Sequence, residues 1–417
     1  MLSRLRSVRG NYPSQFWLMF WGMLLSTMGS SMVWPFLMIY VSERLGLPLA
    51  AAASLTTINA AAGLCAAFFA GPVIDRAGRK WVMVLSLLGM GVVYLFYTQA
   101  GSLWVFGLLM AGAGLFTPLY RVGGDAMMAD LIPPDQRADA YALLRMSNNV
   151  GISVGPMIGG FLAATSYNFA FIAAAAGLSA YALLIALFAR ETLPQPVAEA
   201  AHPAGASSAA QPGKERFGGY GRIFADKPFV SFIAAFTMTQ MCATMIWVLL
   251  SVHAKTNYGV PENLYGLIPA TNAIMVVTLQ ALVTRQTKKH APLPVLAAGT
   301  FIYAAACASV ALGRGFWGFW TSMVIMTIGE LMLMPTSTTY TANLAPTDMR
   351  GRYMSIYGLT WNAAYGIGPL LGGLLSDHIG PSATWYGGGL IGLAAFTAFL
   401  VLSSRARAQE ITRSPAS

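Results

Sequence analysis

Charge is what this chain has least of. Only 15 of its 417 residues are acidic and 10% are charged, while 56% are hydrophobic and the mean hydropathy is +0.59. A soluble domain of this length needs more polar surface than so few charges supply, and composition alone excludes an ordinary soluble enzyme or binding module. Cysteine is scarce too. Cys65, Cys242 and Cys307 each sit in an apolar run and are odd in number, which leaves no disulfide framework and no CxxC metal site. The four histidines form no His/Cys/Asp cluster at metal spacing, so no metal ligands and no catalytic residues are expected. The absence of a GxxxxGK[ST] loop argues against ATP as an energy source. A net charge of +10 would suggest nucleic acid as the partner of a soluble domain. Here the basic residues fall in short segments between hydrophobic runs, so the expected partner is a lipid bilayer and not nucleic acid.

What the chain does have is long apolar runs. A spanning helix needs about 20 mostly apolar residues, and twelve such runs occur, at roughly 16–41, 49–74, 81–99, 103–130, 138–165 and 167–190, then roughly 228–253, 263–284, 292–312, 315–341, 352–376 and 382–403. Between the two sets lies a Pro/Ala/Gly/Ser-rich polar stretch that cannot bury an apolar face. The organisation read from this is a six-helix bundle over 1–191, a linker over 192–227 ending in a short surface helix, and a second six-helix bundle over 228–417. Most of the 25 basic residues fall on one side if the N-terminus is inside, which predicts cytoplasmic termini at both ends. The basic N-terminus MLSRLRSVRG lacks a short h-region and cleavage site and is read as retained.

The chain also repeats itself. DLIPPDQRADAYALLRMSNNVGISVGPMIGGF, from Asp130, returns from Asn343 as NLAPTDMRGRYMSIYGLTWNAAYGIGPLLGGL, without a gap, at an offset of 213 residues. The offset pairs Asp135 with Asp348, Arg137 with Arg350, Asn149 with Asn362, and Gly155-Pro156 with Gly368-Pro369. It also pairs Asn59 with Asn272 and Gly46-Leu47-Pro48 with Gly259-Val260-Pro261. Such self-similarity marks an internal duplication. With six spans in each copy, the two halves share one orientation.

Between the second and third spans stands Gly71-Pro-Val-Ile-Asp75-Arg76-Ala-Gly78-Arg79-Lys80. In physical terms Gly71 allows close helix approach, Gly78 a tight turn, and Asp75 can accept hydrogen bonds from the free N–H groups of a neighbouring helix N-terminus. The stretch resembles the GxxxDRxGRK loop of the major facilitator superfamily at Gly71, Asp75, Arg76, Gly78, Arg79 and Lys80. The resemblance implies a latch between the halves in the outward-facing state, with Asp75 facing the start of the eleventh span; the alternative is a turn that only fixes topology. Gly151, Gly155, Pro156, Gly159 and Gly160 resemble the superfamily's antiporter motif, and Gly368, Pro369, Gly372 and Gly373 repeat much of it. Small residues four apart make a groove for another helix backbone, and the prolines bend the helix.

Charges inside spans are expensive and so are candidates for coupling. Arg121 and Asp125 sit i, i+4 on one face and are expected to neutralise each other, with Arg145 as a competing partner. A purely structural ion-pair cluster is the other reading. Arg121 falls where the superfamily has an arginine linked to proton coupling in exporters. Glu330, in mid-span without a basic neighbour, is a candidate proton carrier because its charged form is costly there; the alternative is a neutral acid hydrogen-bonded to a neighbouring helix. The resemblance also implies that Glu330 faces the central cavity. Candidate substrate contacts are Met28, Trp34, Tyr120, Gln240, Trp247 and Trp361, with Asn149 and Asn362 as a repeat-matched polar pair.

The expectation is therefore an all-α integral membrane protein of twelve transmembrane helices in two parallel-repeat bundles, resembling bacterial twelve-span drug–proton antiporters. It implies a monomer in the bacterial cytoplasmic membrane that moves a small-molecule substrate against protons, with no cofactor beyond the coupling ion. A lipid, glycolipid or nutrient carrier on the same fold is the first alternative. A non-transporting membrane receptor is the second, from a different class.

Overall fold

The computed structural model describes residues 12–193, 220–346 and 349–413, and every described element is a helix. Most of the linker and the basic N-terminal segment lie outside the described residues. We number the twelve long helices α1 (Ser14–Leu45), α2 (Leu49–Ala77), α3 (Arg79–Tyr97), α4 (Leu103–Leu131), α5 (Arg137–Thr165) and α6 (Tyr167–Phe188) in the first half. The second half holds α7 (Lys227–Tyr258), α8 (Leu267–Thr287), α9 (Pro292–Leu312), α10 (Gly315–Leu344), α11 (Arg350–His378) and α12 (Ala383–Arg413). Two short helices precede α7 and α8: Tyr220–Ala225, as the linker reading anticipated, and the single turn Glu262–Tyr265.

The halves repeat one packing scheme. In the first, α4 lies between α2 and α3, α1 between α5 and α6, and α3 against α6; in the second, α10, α7 and α9 make the same choices among their neighbours. Turns repeat as well. Gly46 and Gly259, paired by the offset, end α1 and α7 with φ of 60° and 61°, a left-handed conformation that a residue with a Cβ resists. Arg137 holds the turn after α4 by donating to the carbonyls of Ile132 (3.0 Å) and Ala129 (2.6 Å). Each bundle is filled by aromatic rings, among them Phe36, Phe106 and Phe171 in the first and Phe232, Phe236 and Phe319 in the second, all fully buried. In a bilayer such contacts stabilise by close packing, since lipid is as apolar as the rings themselves.

Ten helices among the described residues are long and apolar enough to cross a membrane. The other two long ones are α5 and α11, of 29 residues each, which carry the duplicated stretch and its Ser, Asn and Gly content. Their polarity has a structural reason: both run along the seam between the halves, α5 against α8 and α11 against α2, with α1 touching α7 in the middle.

Candidate functional site

The seam is closed at one end of the molecule. We call the end bearing Arg79, Arg137, Arg285 and Arg350 the basic end and its opposite the far end. At the far end Asp377, in the last turn of α11, accepts hydrogen bonds from the backbone N–H groups of Leu49 (3.0 Å) and Ala50 (2.8 Å), the first residues of α2. One turn deeper Gly373 lies so close that a Cβ there would stand 2.7 Å from Ala50 Cα, and further in Thr57 donates to the Gly366 carbonyl. The other flank is built alike from different chemistry. Gly160 packs on the backbone of Glu262, whose carboxylate accepts from the Tyr167 hydroxyl and pairs with Lys255 at 3.0 Å. Between the flanks the rings of Trp34 and Trp247 meet edge to face at 5.3 Å, joining α1 to α7. A cavity of about 240 Å³ remains at this end, lined by Ser42, Leu49, His253, Asn257, Asp377 and Trp385 among others.

The glycine motifs serve this seam from both sides. Gly151, Gly155 and Gly159 admit the backbone of α1; a Cβ at Gly155 would stand 2.6 Å from the Met28 carbonyl oxygen. Gly368 does the same for α7, where a Cβ would meet Thr244 Oγ1 at 2.5 Å, and Gly372 packs on Leu249 of α7 and Thr384 of α12. Pro156 and Pro369 sit inside their helices as expected.

At the basic end the loop residues divide. Gly78 takes φ of 89°, as a tight turn requires. Around it Glu191, 111 and 112 residues away, caps the start of α3: its carboxylate accepts from the N–H groups of Arg79 and Lys80, both at 3.0 Å, and of Thr192 and Leu193. Burial alone would push the Glu191 carboxyl up, but these backbone donors outweigh it and hold it below the usual glutamate range. Arg79 bridges to Asp130 at 2.6 Å and donates to the Thr192 carbonyl. Lys80 lies over the ring of Trp81. Asp75 and Arg76, in contrast, are exposed, and no described hydrogen bond or ion pair engages Asp75. The close helix approach expected at Gly71 is absent, since a Cβ there would meet nothing within 4 Å.

Arg121 and Asp125 share one face of α4, as their spacing predicted, and the Arg121 guanidinium acts electrostatically on the Asp125 carboxyl. Arg121, Asp125 and Arg145 are all exposed, and no described ion pair joins any of them. What reaches Asp125 is the Tyr141 hydroxyl of α5, on its backbone carbonyl at 3.1 Å. Glu330 is half-buried and is not alone: Asn272 of α8 donates to its Oε2 at 2.7 Å and to Thr327 Oγ1 at 2.9 Å. The repeat partner Asn59 donates to the Met110 carbonyl at 2.9 Å instead.

Among the candidate substrate contacts, Met28, Trp34, Tyr120, Asn149, Trp247 and Asn362 are half-buried and Trp361 is exposed. Tyr120 touches Ser26 at 3.4 Å and the Tyr181 ring. The described hydrogen bonds from this turn of α5 to α1 are made by Asn148, which accepts from Thr27 at 3.1 Å, and by Ser147, which donates to the Phe20 carbonyl at 2.7 Å, and not by Asn149. Gln240 is fully buried with neither amide atom partnered among the described residues. Sequence reasoning missed Glu191, Asp377, Glu262 and the role of Asn272. Only Asn272 carried a signal, through its pairing with Asn59.

Two six-helix bundles related by duplication, meeting along glycine-lined helices, define the architecture of a membrane transporter that works between two such halves. The sequence model described as Major Facilitator Superfamily matches residues 19–250 and 232–416, and the chain belongs to that superfamily. It is a multi-pass membrane transporter and not an enzyme. It is 26% identical over 378 residues to a Na(+), Li(+), K(+)/H(+) antiporter from Planococcus maritimus, covering 86% of this chain and 87% of that one. It is 26% identical over 342 residues to the multidrug resistance protein MdtH of Escherichia coli, covering 79% of each. Solved structures with the same fold include the nucleoside transporter NupG, at a TM-score of 0.78 and 12% identity over 93% of this chain and 99% of that one. A bacterial homologue of the lysosomal transporter Spinster matches at 0.75 and 16% identity, over 94% and 96%.

Proposed function

We propose that the chain is a proton-coupled antiporter that exports amphipathic or cationic small molecules from the bacterial cytoplasm, with its basic end on the cytoplasmic side. The observation that carries this reading is the Asn272–Glu330 pair. Glu330 has an amide and not a cation as its described partner, so a proton is the means of compensating its charge inside the bilayer. The repeat counterpart of Glu330 is Thr117, so the acid at this position belongs to the second half alone. Asp125, exposed on α4 nearer the basic end, is the candidate second carrier, with Arg121 and Arg145 as its modulators.

Support comes from the curated relatives, one a cation/proton antiporter and one a multidrug resistance protein. A proton entering through about 100 mV contributes about 2.3 kcal/mol, before any pH gradient is added, to drive export. The contacts described at the far end fit an exporter whose substrate loads from the basic end. In reconstituted liposomes with an imposed pH gradient, cationic dyes should move against the proton flow. Glu330→Gln should abolish gradient-driven movement while leaving dye binding intact. Gradient-driven dye movement that persists in a Glu330→Gln, Asp125→Asn double variant would falsify the proton route.

A further inference from the structure

At the end of α8 a pair of cations overhangs an open apolar groove. The groove holds about 580 Å³ between α8 and α10; Leu282, Ile328 and Met332 line its inner stretch, and Arg285, Gln286 and Lys289 line its mouth at the basic end. Gln280 donates to the Leu331 carbonyl at 3.0 Å, which sets the register of the two helices. From that level Ile328 lies three residues toward the far end and Arg285 five toward the basic end, a span of about 12 Å at 1.5 Å per residue. Half of a hydrocarbon core is about 15 Å. The groove therefore fits one leaflet, apolar at the depth of the chains and basic at the depth of the headgroups.

Its open side is turned to the bilayer. Trp317, Thr321, Ile328 and Met332 fall on one stripe of α10, where Trp317 is 71% and Ile328 44% exposed. An uncovered tryptophan near the end of a span belongs in the headgroup region of a membrane. Glu330 stands two residues from both Ile328 and Met332, so the groove lies on the opposite side of α10 from the Asn272–Glu330 pair.

Charge at the mouth has no answer within this part of the chain. Arg285, Lys288 and Lys289 are all exposed, and no described hydrogen bond or ion pair engages their side chains. Between Glu262 and Asp348 the sequence has a single acid, Glu330, in mid-span. The carbonyls that end α8 favour these cations and would repel an anion, so recognition of an anion falls to the side chains. Lys288 lines a separate polar pocket of about 200 Å³, with Thr336 and Asn343. The first half has no equivalent. The offset sets Pro72 against Arg285, Asp75 against Lys288 and Arg76 against Lys289, so one cation is lost and an acid gained.

We infer that the groove is a specific site for one anionic phospholipid of the basic-end leaflet. Its phosphate is held between Arg285 and Lys289, with the Gln286 amide as a neutral donor, and one acyl chain lies over Leu282, Ile328 and Met332. A zwitterionic lipid brings its own cation to the same mouth, and free phosphate has nothing to lay in the groove. The site is independent of the transported substrate and of the coupling ion.

Native mass spectrometry of the full chain in detergent, titrated with dioleoylphosphatidylglycerol, tests the site. One lipid should bind ahead of the rest, and more tightly than dioleoylphosphatidylcholine. At about fivefold per cation, Arg285→Gln and Lys289→Gln should each weaken that first step, and the double variant should weaken it about thirtyfold. Lys288→Gln removes the same charge from the neighbouring pocket and should leave the step unchanged. Ile328→Trp fills the groove while keeping both cations and should weaken the lipid as the single charge variants do. All four positions are exposed, so none of these changes should cost the fold. Millimolar inorganic phosphate should not displace the lipid. Equal losses in the three single charge variants, or equal binding of the two lipids, would mean diffuse attraction to the basic end and overturn the site. Displacement by inorganic phosphate, or an Ile328→Trp variant that binds as the parent does, would overturn the lipid in favour of a free anion.

Discussion

Asn272 donates one hydrogen bond to Glu330 at 2.7 Å, and Asn59, its counterpart in the duplication, donates to a backbone carbonyl. One ancestral amide thus has two uses, and only the second half turned it onto an acid. Removing either partner should show the coupling. Asn272→Ala and Glu330→Gln, singly and together, should give a double-mutant interaction of about 0.6–1.7 kcal/mol, the range found for hydrogen bonds between membrane helices. Thermal unfolding in detergent measures it, and strict additivity would mean that the pair contributes nothing.

The Glu191 cap predicts a pH dependence whose sign follows from its four backbone donors. The folded state holds this carboxyl below its unfolded value, so its contribution is fully present above the ordinary glutamate range and disappears as pH falls through the lowered value. The difference in melting temperature between the parent chain and Glu191→Gln should therefore be constant above about pH 5 and shrink toward zero in acid. A difference that grows on acidification would contradict the cap.

Gly373 should tolerate no side chain while the far end is closed. Gly373→Val places atoms into the backbone of Ala50, and overpacking of this kind costs about 1–3 kcal/mol, which favours the far-end-open arrangement about fivefold or more. Labelling of a Ser42→Cys variant, whose side chain lines the far-end cavity, by an impermeant thiol reagent should accelerate accordingly. Unchanged labelling would place the gate elsewhere.

On the other flank, Lys255→Met strands the Glu262 carboxylate, whose side chain is only 7% exposed. The loss should be about 1–3 kcal/mol, and Glu262→Gln in the same chain should recover much of it. Tyr167→Phe, which leaves the Lys255 pair intact, should cost less than either. Melting temperatures of the four chains rank these outcomes, and a Tyr167→Phe effect larger than that of Lys255→Met would reverse the assignment.

The architecture was legible in the residues because its signals are local. Long apolar runs mark helices in lipid, where every backbone group must bond within its own segment. The gapless offset marks the duplication, and Gly46 and Gly259 mark equivalent turns. The glycine runs announced tight helix contacts, and both copies make them. The spacing of Arg121 and Asp125 placed them on one face, where they interact electrostatically, but it carried no sign that no described salt bridge joins them.

By itself, then, the sequence determined a twelve-helix, two-half membrane transporter and the close helix contacts of the two duplicated glycine runs. Tertiary structure alone decided which acid meets which helix end: Asp377 on Leu49 and Ala50, Glu191 on Arg79 and Lys80, and Asp75 on nothing described. The reason is physical. A helix and its hydrophobic face are set by residues within a few turns, whereas a cap supplied from over 300 residues away depends on how two finished bundles lean on each other.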